Sequence, residues 1–486
     1  MSELNKKIQK YINRSQVTVY QLAKNTNLDR TMIQKMIKGT KYPGAKFFYK
    51  FCDSLMLNKD ERDELIRLFR IEKIGSSKYQ ARIAIRELLT RFQNLRANYF
   101  ANGIKPMQAA IDVSLITEPA RELEGSTALM LYAYSLLHEK ISSREHTEVW
   151  LDMFGQTEAL LRNIHSLQDD YGTQVEIHHS ILLSYQSNSE ESNAENIEIL
   201  QSVFPPLFVM GENYHAYYAY VNNISEDRRF TPFRHYLLVD DRLLLFNDRA
   251  NRGLFVTDPA IVSAWQHELR QMEEESRPIF RYWNDVGEAL SYYREHISSV
   301  NRLVASYETT PCMNVLISGA LGEVPTDHPV IRLYQSSFDN IAQDVSSSEY
   351  IQIYGLGGMK EFAKTGVLPE IYGKYLPAFS EKSRHEMVDT YTRWLCLTGN
   401  SWLLKDVDMQ IAAGLNIELY APNKVVLCSI QKDMPFGFVL IEENSTYDNF
   451  LDYFQSLIEY EEVYEPEAGT EVFRHTMEAY FQEGEN

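Results

Sequence analysis

Arg30, Thr31, Gln34, Lys35 and Lys38 follow one another at spacings of one, three, one and three residues, which places them on one face of a helix. Cations and a carboxamide in that arrangement can hydrogen-bond base edges in a major groove and neutralise phosphates. Thr18, Lys24, Thr40 and Lys41 stand close by in the chain and add hydroxyls and positive charge. The chemistry they offer is recognition of a polyanion.

Two short helices must hold that face. Thr18 is placed to cap the first, since its hydroxyl can accept from the free N–H groups of the opening turn. Leu22 and Ala23 face inward, and Asn27 stands where the turn needs a positive φ. Leu28 plugs the corner and Asp29 caps the second helix. Ile33, Met36 and Ile37 form its buried stripe, Gly39 ends it in the left-handed conformation, and Pro43 blocks a restart. A helix about 10–12 Å across fits a major groove about 12 Å wide.

Thr18, Leu22, Ala23, Leu28, Asp29, Ile33, Met36, Gly39 and Pro43 follow the pattern of the Cro/lambda-repressor-like helix-turn-helix regulators, and the stretch resembles that family. Asn27 takes the place of the turn glycine, and Val19 stands where many members carry a phosphate-contacting Gln. The resemblance covers about the first 70 residues. It implies an all-α, five-helix DNA-binding domain acting as a dimer on double-stranded DNA. Arg30, Thr31, Gln34 and Lys35 would read bases, and Thr18, Lys24, Lys38, Thr40 and Lys41 would hold phosphates.

Charge agrees with this division of labour. The 486 residues carry a net charge of −19. Residues 1–75 hold 16 Lys or Arg against 8 Asp or Glu, a net of +8, and the rest of the chain a net of −27. A basic head on an acidic body confines attraction for phosphate to the head. No run of about 18 apolar residues is present, and the opening Met1-Ser-Glu-Leu-Asn-Lys-Lys7 lacks the apolar core of a signal peptide. A cytoplasmic protein with no membrane partner is expected. Cys52, Cys312, Cys396 and Cys428 are scattered, without Cys-x-x-Cys spacing.

Within 1–74, Leu4, Ile8, Tyr11 and Ile12 mark a helix before the motif. Phe47, Phe48, Phe51 and Leu55 mark one after it, and the capping box Asn58-Lys-Asp-Glu61 opens a fifth. Residues 75–170 read as a helical linker. In it Ile85, Leu88, Phe92, Leu95 and Tyr99 are spaced as two heptads, either a dimerisation seam or a helix packed on the body. Helical periodicity continues over 120–140 and 149–168. From 171 to 300 the texture is α/β: strands at Val175–Tyr185 and Tyr214–Val221, a helix from Ile197 ending at Pro205-Pro206, and a hairpin over His235–Phe246. A second α/β domain over 301–486 repeats the order of hairpin, glycine-led strand and amphipathic helix, and ends in an acidic tail. The chain therefore reads as multidomain, with a large α/β (α+β) body carrying a candidate internal duplication and a ligand cleft between its halves.

A duplicated body of this kind resembles phospholipase-D-like folds, whose activity needs His-x-Lys-x-x-x-x-Asp in each half. At His235 the Lys position holds Leu237 and the Asp position holds Arg242. Gly355-Leu-Gly-Gly358 lacks the Gly-Lys-Ser/Thr ending of a phosphate loop. His178 and His179, adjacent in a strand, point to opposite faces and cannot chelate together. No catalytic residue, metal site or cofactor is expected. The reading is a sequence-specific transcriptional regulator, not an enzyme, whose body senses a small-molecule or protein signal or mediates assembly. The alternatives are an antitoxin-like partner of another protein, or an effector with an autoregulatory DNA-binding head.

Overall fold

Local capping sets the head. Helices α1 (Glu3–Ser15), α2 (Val19–Thr26), α3 (Arg30–Lys38), α4 (Ala45–Asp53) and α5 (Lys59–Ile74) follow each other through short turns. Each apolar stripe meets the others in one cluster in which Ile8, Leu22, Ile33, Met36, Phe48, Phe51 and Phe69 are fully buried. Phe48 stacks on Phe69 with ring centroids 4.0 Å apart, a contact of the kind that stabilises by about 1 kcal/mol beyond area burial. Gly75, at φ +85°, breaks the chain before α6 (Ser76–Gln93). The computed structural model describes residues 2–27, 29–93, 111–152, 157–184, 194–221, 233–309, 327–367, 378–405, 415–429 and 436–484. Leu28, Leu95 and Tyr99 lie outside them, as does the side chain of Phe92.

The body comprises two mixed sheets. The first is built from β1 (Ala120–Glu124), α7 (Ser126–Ser143), β2 (His146–Asp152), α8 (Thr157–Tyr171), β3 (Gln174–Ser184), α9 (Ala194–Met210), β4 (Tyr214–Val221), β5 (His235–Val239), β6 (Arg242–Phe246), β7 (Arg252–Val256), α10 (Pro259–Glu275) and β8 (Arg277–Pro278). One residue later the chain enters the second. That sheet uses β9 (Phe280–Trp283), α11 (Val286–Tyr293), β10 (Arg302–Glu308), α12 (Pro329–Val345), β11 (Ile351–Tyr354), α13 (Gly357–Thr365), α14 (Glu381–Thr398), β12 (Ser401–Leu403), β13 (Leu415–Ala421), β14 (Lys424–Ser429) and β15 (Gly437–Glu442). Two helices, α15 (Asn444–Glu459) and α16 (Pro466–Gly484), close the fold.

The strand orders are β1-β7-β6-β5-β2-β3-β4-β8 and β9-β15-β14-β13-β10-β11-β12. In both, three neighbouring strands are parallel, β2-β3-β4 and β10-β11-β12. In both, a run of four antiparallel strands extends outward from the first of the three, and in the first sheet β8 adds antiparallel to the last, β4. The hairpin, glycine-led strand and helix seen in the sequence occupy matching places, β5-β6-β7-α10 and β13-β14-β15-α15.

Several expectations give way here. Residues 120–124 and 146–152 are strands inside the stretch read as helical linker, so the sheet-bearing body starts by Ala120 and not near 171. The second sheet begins at Phe280, ahead of 301. Helix α9 runs on through residues 205 and 206 to Met210, because Leu207 and Phe208 continue its buried stripe. The expected cleft between the halves is filled: residues of both sheets share one core with α6, α9 and α15. The heptad residues Ile85 and Leu88 belong to that core, with Gln201 of α9 donating from Nε2 to the Ala84 carbonyl at 2.6 Å. Of the two readings of that heptad, Ile85 and Leu88 follow the helix packed on the body.

Candidate nucleic-acid interface

The motif helices are closed at both ends by local bonds. The Thr18 Oγ1 accepts from the Gln21 N–H, and the Gln21 Oε1 accepts from the Thr18 N–H at 2.9 Å, a reciprocal capping box. Asn27 sits at φ +59° in the turn. Asp29 Oδ1 accepts from the Met32 N–H at 2.7 Å, capping α3. Gly39, at φ +75°, ends it, and its N–H donates to the Met36 carbonyl.

A residue the periodicity did not single out fixes α3 against α1. Asn5 is buried, and its Nδ2 donates to the carbonyls of Met36 and Ile37 at 2.8 and 3.3 Å. Tyr42 and Ser2 hydroxyls donate to its Oδ1. The Met36 carbonyl thereby gains a second donor beside the Gly39 N–H, and the Ile37 carbonyl at the helix end gains one. A Cβ on residue 39 would lie 2.5 Å from the Asn5 Oδ1, so Gly39 is required by close approach as well as by φ. The signal in the sequence was a polar side chain on an otherwise apolar helix face.

With Ile33 and Met36 turned inward, Arg30, Thr31, Gln34, Lys35 and Lys38 are all exposed on α3. Arg30, Gln34 and Lys38 form one row, and Thr31 and Lys35 the adjacent one. Lys24, at the end of α2, and Lys41, beyond α3, are exposed too. Among the described residues, none of Lys24, Arg30, Lys35, Lys38 and Lys41 makes an ion pair. The Arg30 guanidinium lies 4.8 Å from the ring centroid of Tyr20, a half-exposed aromatic on α2 that the sequence reading passed over. Thr18 and Thr40 differ from the lysines in that their hydroxyls are engaged: Thr18 in its cap, Thr40 with the Lys35 carbonyl at 3.3 Å. They can meet a phosphate only as shared partners.

Helices α5 and α6 are anchored to the body by ion pairs. Arg82 makes two bonds to Asp452 at 2.6 and 2.9 Å, and Lys78 pairs with the same carboxylate. Lys73 pairs with Glu459, and Arg70 and Arg86 both pair with Glu462. Burial pushes the Asp452 carboxyl up, but the hydrogen bonds from Arg82 and Lys78 outweigh it and hold the group below the ordinary carboxylate value.

In the body, the histidines separate as their alternation requires. His179 is fully buried with Nδ1 2.6 Å from the Tyr214 hydroxyl, and burial lowers its pKa to about 3. His178 lies on the other face, stacked on Trp150 and 3.0 Å from Glu273, so it is covered by α10 and not free at the surface. His235 is held between Asp152 and Asp248, at 2.8 and 3.1 Å. Leu237 is buried and Arg242 pairs with Asp241, so neither takes the part of the Lys or Asp in the phospholipase-D-like motif. Gly355 forms the strand-to-helix turn before α13, its N–H donating to the Glu308 carbonyl. Among the described residues no cluster of three His, Cys, Asp or Glu could hold a metal, and no helix is long and apolar enough to cross a membrane.

No family model matches the chain, and no curated protein does. Similar solved structures include TrmBL2, an archaeal chromatin protein described with a novel mode of DNA binding, at 12% identity over 57% of this chain and 99% of that one, TM-score 0.22. Phosphatidylserine synthase of Haemophilus influenzae Rd KW20 matches at 10% identity over 75% and 94%, TM-score 0.21. Polyphosphate kinase of Porphyromonas gingivalis matches at 10% over 70% and 50%, TM-score 0.20. One neighbour is therefore a DNA-binding protein and two are enzymes. The expectation of a non-enzyme is corrected by those two and is withdrawn. TM-scores this low carry no argument for any particular activity in this chain.

Proposed function

We propose that the chain is a sequence-specific DNA-binding regulator that inserts α3 into a major groove. The observation that carries this reading is the α3 face: Arg30, Gln34 and Lys38 in one row and Thr31 and Lys35 in the next, exposed, with no ion pair among the described residues to the three cations. In this reading Arg30, Thr31, Gln34 and Lys35 contact bases, while Lys24, Lys38 and Lys41 contact phosphates with help from Thr18 and Thr40. The −27 net charge outside residues 1–75 repels DNA from the body and leaves the head as the docking surface. The matching strand orders support a body built from two duplicated halves, which would serve as a rigid platform for signal-dependent control.

Selection of bound fragments from random DNA by the full chain tests the proposal. A recovered motif supports it, and the spacing of half-sites decides between one copy and a pair. Gln34→Ala and Lys35→Ala should each cost about 1–3 kcal/mol on that motif and much less on random DNA. Equal losses on both DNAs, read by fluorescence anisotropy, would reduce the face to a phosphate clamp.

A further inference from the structure

A cleft of about 480 Å³ lies on the seam between α4–α6 and the body. Five cationic side chains and three carboxylates line it, so it is positive on balance. Arg70 and Arg86 reach into it from neighbouring helices and converge on a single carboxylate, Glu462. Arg70 is held further by the Tyr49 hydroxyl at 2.9 Å, while its buried Nε has no hydrogen-bond partner among the described residues. Arg67 lines the same wall, is exposed, and makes no ion pair among the described residues. Lys405, from the body, donates to the Glu461 carbonyl at 2.9 Å. Tyr49 and Tyr79 contribute ring surface.

Two guanidinium groups gathered on one carboxylate, with a third close by and an unused N–H, are arranged for an anion with more oxygens than a carboxylate has. A phosphate offers such an acceptor set to planar guanidinium forks. The volume lies within the range of about 300–1,000 Å³ typical of small-molecule sites, beyond what an inorganic ion needs. We infer that this cleft is a binding site for a phosphorylated small molecule with a planar ring system, whose phosphates compete with Glu462 for Arg70 and Arg86 while its ring lies along Tyr49 and Tyr79. Because Glu462 is one of the carboxylates that tie the head to the body, occupancy would loosen the tie. The consequence for DNA binding rests on the reading proposed above, whereas the site itself does not.

Titration calorimetry of the full chain without DNA tests the site, so its failure is distinct from a failure of the DNA-binding reading. The probes are ADP, which carries phosphates and a ring, and inorganic pyrophosphate, which carries charge alone. ADP should bind saturably, and more tightly than pyrophosphate at matched ionic strength. Arg67→Ala, which breaks no ion pair, should weaken ADP binding about tenfold, the loss of one charge-assisted contact. Glu462→Gln should strengthen it several-fold, because the internal competitor is gone. A purely structural network predicts no gain from that substitution. Absence of saturable ADP binding to both wild type and Glu462→Gln, or wild-type affinity in Arg67→Ala, overturns the inference.

Discussion

The α2–α3 face of the head and the α5–α6 face at its junction with the body are both cationic, but the protein neutralises only the second. Arg70, Lys73, Lys78, Arg82 and Arg86 each meet a carboxylate of the stretch 452–462. Lys24, Arg30, Lys35, Lys38 and Lys41 meet none among the described residues. An exposed lysine is well hydrated and needs no partner, so its solitude alone proves little. The contrast between the two faces says more. An acidic body supplies ample carboxylate, yet the fold directs it to one side and leaves the α3 side open. Charge on the α5–α6 face serves attachment, and charge on the α2–α3 face is left for a partner.

The largest test of that division is Asp452→Ala. The side chains of Arg82 and Asp452 are only 10% and 17% exposed, so removal of the carboxylate leaves a largely buried guanidinium with, among the described residues, only the longer ion pair to Glu459 at 3.6 Å. Breaking such a pair costs about 3 kcal/mol, and a urea titration should show it, or an early transition of the head alone. DNA affinity of the folded variant should stay near wild type, because Asp452 pairs with Lys78 and Arg82 of α6 and not with the α3 cations. If Asp452→Ala unfolds as wild type does, the attachment face is ordinary surface charge and the comparison collapses.

How much of this was legible beforehand follows from the range of each interaction. Thr18, Asn27, Asp29, Gly39 and the Asn58–Glu61 box act within three or four residues of themselves, and the structure has each in the expected role. Strand β2 was read as helix because it is central in its sheet. The run Val149-Trp-Leu151 is buried on both faces, which erases the alternation that marks a strand. Strand β10, central in the second sheet, was missed for the same reason: Ala305 through Glu308 are all buried. The attachment face was illegible for a different reason. Arg82 and Asp452 are 370 positions apart, and no local pattern links them. Lys78, Arg82 and Arg86 recur every four residues as a basic stripe, but that spacing does not say which carboxylates they meet.

Acid should act on one face before the other. The Asp452 carboxyl is held below its ordinary value in the folded chain. Its contribution is therefore complete above the unfolded carboxylate value, about pH 4, and is lost as pH falls through the lower folded value. Urea midpoints measured downward from about pH 5 should fall within that acidic window. In Asp452→Asn, which cannot titrate at this position, the fall should be shallower. The loss is smaller than in Asp452→Ala, since a protonated carboxyl still accepts from Arg82. An equal slope in Asp452→Asn would assign the acid response to other carboxylates.

The finest distinction concerns single lysines on the two faces. Lys38, exposed in the last turn of α3, should displace counterions from DNA if it meets a phosphate. Lys38→Ala should then reduce the slope of log Kobs against log salt by about 0.9, with a similar loss on selected and random DNA. Lys78→Ala removes the same charge from the attachment face, where the charge is already balanced by Asp452. Its salt slope should match wild type, while its stability falls by about 0.5 kcal/mol because the pair is partly exposed. Both variants lower the net charge of the chain by the same amount, so a long-range field effect would shift both slopes together. Unequal slopes, in the stated direction, would tie DNA binding to the α3 face itself and not to the overall charge of the chain.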